Sequence, residues 1–498
     1  MTVPFNSIPS GLVAPIMTFE VNSGGAVETE TRIVLVGHAA ADGTIDADTP
    51  VYAASQEAVD VLCGSRSMLR DMYRVARAAA PAERIDIVAV AAAGVAGTWT
   101  VTFAAPPAAG GSGVISIAGR EVSLTIPAGS TASDAATDLA AAVNGFYDDI
   151  TRATLPVTAA AVAGVVTLTA VHAGAVAGDV DVWVDTTRAD NTYVSIATVA
   201  AGTAGTGAPN TSAAIAAIGD DEATTVISAF GDTTNLARYR AMMSDTGGRW
   251  SWLRQVYGHV WTVQTDSVAD LVTAGEAMTD DRHVTVLGRI EAAGDATPPW
   301  VWVAAYAAIQ VVWLHDGVSG NVSRNMSGLP LPFVKPPRSR ARWPGYENRN
   351  TLLKSRTSTW RVEAGAVVVD KAVTLSKVNS LGQVDRTFRD VQSLYQTMAA
   401  LKYFRGRAAI EHGNKALAST NPGGNPAIST PNDILATFVH AYTDLVRRGV
   451  LEDVDGFVAR AKAVRNAGSE TRVDILAPLD RVNPLDVVAA NAVLYAQF

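Results

Sequence analysis

The sequence predicts an α/β protein with a split α/β body, an inserted mostly-β domain and an α+β carboxy-terminal domain. Short apolar runs that end near glycine, at 32–37, 84–90, 224–229 and 283–288, read as buried strands separated by helical stretches. Between the second and third runs lies a block, 94–207, rich in Ala, Thr, Val and Gly and without a single lysine. Its segments alternate with period two, as half-exposed strands do. After Pro336-Pro337 the pattern changes again, to hairpin strands followed by long helices.

Residues 1–25 hold Pro4, Pro9, Pro15, Gly11, Gly24 and Gly25 and read as an extended arm. Within it Ile16 to Val21 alternates, with Met17, Phe19 and Val21 on one face. A lone strand without a nearby hairpin partner must pair elsewhere, as on another chain. The first part of the body, 26–93, begins with the strand 32–37. A helix near Ser55 and another from Ser67 follow, the second stopped by Pro81, and 84–90 completes a β–α–β unit with a parallel sheet.

In the block, Thr98 to Phe103, Arg120 to Ile126 and Val165 to Ala170 read as strands and Ser133 to Phe146 as a helix. Gly202 to Gly207 with Pro209 leads back out. The body resumes over 208–337 with a strand at 224–229, helices near 234–243 and 247–258, the strand 283–288 and an apolar helix from Pro299 to Leu314. The carboxy-terminal domain, 338–485, begins with hairpin strands at 367–369 and 372–377 and a helix at 387–404. Thr430-Pro431-Asn432-Asp433 is a helix start, with a hydroxyl cap, proline at the first position and an acid at the third. Its helix carries Ile434, Leu435, Phe438, Tyr442 and Leu445 on one stripe and ends at Gly449. Arg472 to Leu476 is a strand. The last stretch, 486–498, places Val488, Ala490, Ala492, Leu494 and Phe498 on one face, a second lone strand available for exchange.

Composition bounds the function. With 498 residues, 48% apolar and 17% charged, the chain builds a sizeable core and about three domains at ~150 residues each. The single cysteine, Cys63, excludes a disulfide framework or a thiolate cluster. Met1 to Asn6 shows neither a basic region nor an apolar one, so no signal peptide is expected. Trp300 to Leu314 is too short to span a bilayer, and no stable membrane insertion is expected.

The net charge of −9 hides a division. Residues 1–323 carry 15 basic against 33 acidic residues, and residues 324–498 carry 24 against 15. All seven lysines lie in the second part, and the densest basic stretch is Arg324 to Lys377. This end suits an acidic partner. The overall acidity and the absence of interleaved aromatics favour protein over direct contact with nucleic acid.

The search for chemistry returns no catalytic, cofactor or metal residue. No two of the seven histidines lie closer than 24 positions, so no local zinc pair exists. P-loop, dinucleotide and nucleophile-elbow patterns are absent. His38 with Asp42 forms a fragment of a triad at most, and Asp280-Asp281 reads as an exposed loop pair. Trp250, Trp252 and Trp261, with Trp300, Trp302 and Trp313, would stack on sugars or, more simply, anchor core and interfaces. An enzyme is not expected.

Phe5-Asn6-Ser7-Ile8-Pro9 and Val13-Ala14-Pro15 resemble the start of Mu-like bacteriophage contractile tail sheath proteins. The resemblance continues through Asp281 to Val286, Pro298-Pro299-Trp300, Leu329 to Pro332, Glu347 to Leu353, Leu401 to Arg405 and Thr430-Pro431. It is most specific from Arg472 to Pro478, Val482 to Leu485 and Gln497-Phe498. It implies a sheath subunit stacked as hexameric rings around an inner tube, which contracts to drive the tube through the host envelope. The implied partners are further copies of the chain, the tail tube protein, and baseplate and tail terminator proteins. The implied location is a virion tail assembled in the host bacterial cytoplasm. The arm and the terminal strand would complete the carboxy-terminal sheet of neighbouring subunits. Arg447, Arg448, Arg460, Lys462 and Arg465 are the candidates to face the tube. The alternatives are another virion component, a baseplate part or an adhesin, and a soluble α/β hydrolase.

Overall fold

The computed structural model describes residues 31–104, 109–149, 151–188, 191, 197–221, 225–290, 297–379 and 381–494. The chain enters β1 (Arg32–Gly37), which is buried throughout, then β2 (Pro50–Tyr52), α1 (Gln56–Cys63), α2 (Met68–Ala79) and β3 (Arg84–Ala89). The hydroxyls of Ser55 and Ser67 accept the Ala58 and Arg70 N–H groups and cap the two helices, satisfying donors the helix leaves open. β1 and β3 pair in parallel, Val34 opposite Asp86, so the β–α–β reading holds. The sequence reading omits β2, a three-residue antiparallel strand opened by proline, too short for alternation to register.

The block after β3 holds β4 (Thr98–Phe103), β5 (Gly111–Ile117), β6 (Arg120–Ile126), α3 (Ala132–Asn144), β7 (Val157–Val162), β8 (Val165–Ala170), β9 (Val182–Val184) and β10 (Ala197–Ala201). They form two antiparallel sheets, β10-β4-β8-β7 and β6-β5-β9. α3 packs its Leu139 and Val143 stripe on β6, β7 and β8. Strands such as β7 and β10 are made largely of alanine and went unseen because small residues give little alternation. Where the chain enters and leaves the block, Val95 bridges Thr206. Gly94 sits there at φ +100, and a Cβ would lie 1.8 Å from the Thr206 carbonyl.

Beyond it come α4 (Ser212–Ile218), β11 (Thr225–Ser228), α5 (Thr233–Met243), β12 (His259–Asp266), α6 (Val268–Ala277), β13 (Val284–Ile290), α7 (Pro299–Leu314), α8 (Tyr346–Lys354), β14 (Thr357–Glu363) and β15 (Ala366–Lys371). With β1 to β3 they make an eight-stranded sheet ordered β15-β14-β13-β12-β11-β1-β3-β2. β11 joins β1 on the side away from β3, so the interrupted body closes into one sheet. α7 is apolar on nearly every face, and the fold buries it accordingly between this sheet and α2.

Two secondary-structure expectations fail here. Residues 247–258 are turns and not a helix. The buried Arg249 donates from Nε to the Tyr257 carbonyl at 2.8 Å and from Nη2 to the Asp221 carbonyl at 2.6 Å, and Trp250 Nε1 donates to Gly258. Those side-chain donors satisfy the carbonyls of Asp221, Tyr257 and Gly258 and brace the loop. Residues 372–377 do not pair with 367–369. β15 pairs instead with β14 across the tight turn Ala364-Gly365, at φ +48 and +82.

The remainder holds α9 (Val391–His412), β16 (Ala416–Leu417), β17 (Ile428–Ser429), α10 (Pro431–Arg447), α11 (Val454–Arg460), β18 (Lys462–Arg465) and β19 (Val473–Leu476). α9 starts at Val391, four residues after the expected start, and runs two turns further. The Thr430 hydroxyl accepts the Asp433 N–H while the Asp433 carboxylate accepts the Thr430 N–H, the reciprocal capping box.

Candidate assembly surfaces

α10 packs on α9 through Phe438 stacked on Phe404, ring centres 5.2 Å apart. Tyr442 stacks on Phe457 of α11 at 4.0 Å. From α11 the chain passes directly into β18, which pairs antiparallel with β19, Val464 opposite Asp474. This sheet has two strands and no third among the described residues, so both outer edges present unpaired backbone groups. Val464 and Leu476 are exposed on it. A two-stranded sheet is marginal alone, and added strands satisfy it.

The chain after β19 is held for ten residues and then released. Gln396 Nε2 donates to the Val482 carbonyl at 2.8 Å, Asn325 Nδ2 to the Leu485 carbonyl at 2.7 Å, and Lys371 pairs with Asp486. Beyond it Val488 is 80% and Leu494 96% exposed, and Ala490 and Ala492 are exposed with them. Through Leu494 this stretch forms no strand within its own chain, since it meets no sheet edge there. Phe498, and the arm residues Ile16, Met17, Phe19 and Val21, lie outside the described residues.

The five basic candidates fall on this carboxy-terminal unit. Arg447 and Arg448 close α10. Arg447 reaches Asp444 at 3.6 Å, and the Arg448 guanidinium lies 4.8 Å from the Tyr403 ring centre. Arg460 pairs with Asp453 at 3.4 Å, Lys462 is exposed at the start of β18, and Arg465 donates to the Glu470 carbonyl at 2.9 Å.

Beside β15 lies a groove of about 590 Å³ that no single motif announces. It is lined by eight lysines and arginines and three aspartates, most of them from the basic stretch noted above. Arg349 and Arg361 share Asp370, and Lys371 lies 3.0 Å from Asp390. The density of charge in 324–377 was the signal for it; the fold that gathers those charges was not legible.

The remaining candidates are structural. His38 is buried, donates to the Val90 carbonyl at 2.8 Å and lies with its ring 5.3 Å from His172, while Asp42 is exposed. The Met68 N–H donates to His172 Nε2 at 3.2 Å, so a residue of the β block holds the start of α2. Burial lowers the His172 pKa to about 3, with the nearby His38 adding to it, and burial lowers that of His38 against the opposing bond to Val90. Asp280 accepts the Val378 N–H at 2.9 Å and ties down a distant segment, and Asp281 accepts the His283 N–H at 2.6 Å and fixes the local turn into β13. Trp261, Trp300 and Trp302 are core, Trp250 is buried, Trp313 lies under Arg324, and Trp252 is exposed. Among the described residues no cluster of His, Cys, Asp or Glu has the form of a metal site, and no helix is long and apolar enough to cross a membrane.

The described residues thus present open strand edges, an exposed apolar tail and a cationic groove. Over 98% of its length the chain is similar, at 26% identity, to the Mu-like prophage FluMu tail sheath protein of Haemophilus influenzae, 99% of which is covered. The resemblance read from short motifs therefore extends along the whole chain. No protein-family model matches it. Among solved structures, a sheath tail protein from Desulfitobacterium hafniense aligns with a TM-score of 0.48 at 12% identity, over 94% of this chain and 97% of the other. One from Listeria innocua aligns at 0.45 and 12%, over 91% and 92%.

Proposed function

We propose that the chain is a structural tail sheath subunit. It polymerises as stacked hexameric rings around an inner tail tube and contracts to drive that tube through the host cell envelope. The similarity to a tail sheath protein along nearly the whole of both chains carries the reading. The two open edges of β18–β19 and the apolar tail that leaves the body at Asp486 support the linking role of the ends. Backbone pairing between chains survives rotation of the bodies, because the strand moves with the sheet it joins. If contraction buries a further ~100 Å² of apolar surface per subunit, each contributes roughly 2.5 kcal/mol, and a long tail sums many such terms without nucleotide. The tube and the baseplate and terminator proteins are the partners in this reading, with Arg447, Arg448, Arg460, Lys462 and Arg465 toward the tube. The virion tail is the location, after assembly in the host cytoplasm.

The test is negative-stain electron microscopy of the full-length protein beside a version lacking residues 1–20 and 486–498. Hollow tubes from the first, lost in the second, are expected. Monomers or small rings alone, across salt and concentration, would overturn the sheath reading.

A further inference from the structure

We infer that the cationic groove beside β15 receives the acidic arm, around residues 20–30, of a neighbouring copy of the chain. This rests on the proposed linking role of the arm and adds a receptor to it.

The groove is over-supplied with positive charge. Arg349 and Arg361 share one carboxylate, and Lys371 and Arg389 both lean on Asp390. Lys354 and Arg386 are exposed and enter no ion pair among the described residues. A concave wall with charge of one sign concentrates the opposite charge in front of it. The groove also holds one example of what it would bind. Asp486, on an irregular segment, places its carboxylate against Lys371, and Asn325 takes the adjoining Leu485 carbonyl. An acidic peptide therefore finds cations for its carboxylates, Lys354 and Arg386 among them.

The arm has the matching chemistry. Residues 1–31 contain Glu20, Glu28 and Glu30 and no lysine or arginine. Glu28 and Glu30 are two apart and fall on one face of an extended chain. Reach selects the neighbour. Thr31 adjoins β1, which is five strand positions from β15, about 24 Å at ~4.8 Å per strand. Glu28 lies three residues before Thr31 and travels at most about 11 Å from it. Backbone reach leaves Glu28 and Glu30 short of their own groove, while that of another copy is not so constrained; Glu20, eleven residues before Thr31, is not limited in this way.

Charge reversal tests this without touching the core. A groove variant, Lys354→Glu with Arg386→Glu, and an arm variant, Glu28→Lys with Glu30→Lys, would each be checked by thermal melt and assayed for sedimentable polymer at low salt. Each alone sets like charges against each other, and at least a tenfold loss of polymer is expected. An equimolar mixture pairs every arm with an opposite groove and should regain polymer, as should the fourfold variant. Recovery in the fourfold variant but not in the mixture would place the arm in its own groove and overturn the inference, as would parental assembly by both variants. Carbodiimide coupling of the parental protein, mapped by mass spectrometry on mixed isotopic labels, should join Lys354 to Glu28 or Glu30 between copies. A parent that makes no tubes refutes the sheath reading, whereas absence of that cross-link refutes the groove.

Discussion

The hydroxyls of Tyr395 on α9 and Thr225 on β11 lie 2.6 Å apart, joining residues 170 positions apart in the chain. The same phenol oxygen lies 3.3 Å from His259 Nδ1 and accepts Trp261 Nε1–H at 3.3 Å, and Thr225 continues to His315 and from there to Glu83. All of them lie around the amino ends of the central strands, Glu83 directly before β3. This buried network fastens the helix of the carboxy-terminal unit to the sheet, and burial pushes the Tyr395 phenol well above its usual pKa.

Tyr395→Phe keeps the ring and removes the hub. It leaves Thr225 and Trp261 short of a partner in a dry site, at a cost of about 1–3 kcal/mol. Urea denaturation should show a lower midpoint at unchanged slope, and an unchanged midpoint would remove the network from the account of stability.

Acid should weaken the docking of the β block on α2. His38 and His172 are neutral in the fold with lowered pKa values, so the unfolded chain binds more protons below its ordinary histidine pKa near 6.5. Their contribution is therefore complete above about pH 6.5 and declines as pH falls toward about 3, the His172 value. The slope is about 1.4 kcal/mol per pH unit for each histidine titrating only in the unfolded state. Thermal melts between pH 7 and 4.5 should show it, and His172→Gln, which retains an acceptor for Met68, should flatten the curve.

Thr430→Ala removes the hydroxyl half of the α10 cap. A loss of about 1 kcal/mol is expected, read as a lower melting temperature, with Thr430→Ser close to the parent. Equal loss in both variants would locate the effect in the methyl group.

Val488→Asp with Leu494→Asp separates assembly from folding. Both side chains are exposed, so the folding stability should stay within about 0.5 kcal/mol of the parent. Tube formation, followed by sedimentation, should fall sharply because a charged strand no longer suits the apolar side of a neighbour's sheet. Normal tubes from this variant would discard the tail as a link.

Gly320 makes a close approach that a side chain cannot share. It has φ +75, and a Cβ would sit 2.0 Å from the Arg448 carbonyl. Gly320→Ala should cost more than about 1 kcal/mol and loosen α10 from the loop after α7. Hydrogen exchange at Gly449 and Val450 would report it.

The sequence alone determined what local pattern determines. The strands at β1, β3 and β13, the almost wholly apolar α7 and the Thr430 cap were legible because each is set by neighbours within a few residues. Charge counting marked the basic second half. The tertiary structure decided the rest. It turned 247–258 from a helix into a braced loop, because Arg249 finds its carbonyl partners only after folding. It joined β11 to β1 across the intervening block and brought Tyr395 to Thr225. It also gathered scattered cations into one groove at a sheet edge. Such relations depend on which distant surfaces meet, and burial in a common core selects them only when the whole chain packs.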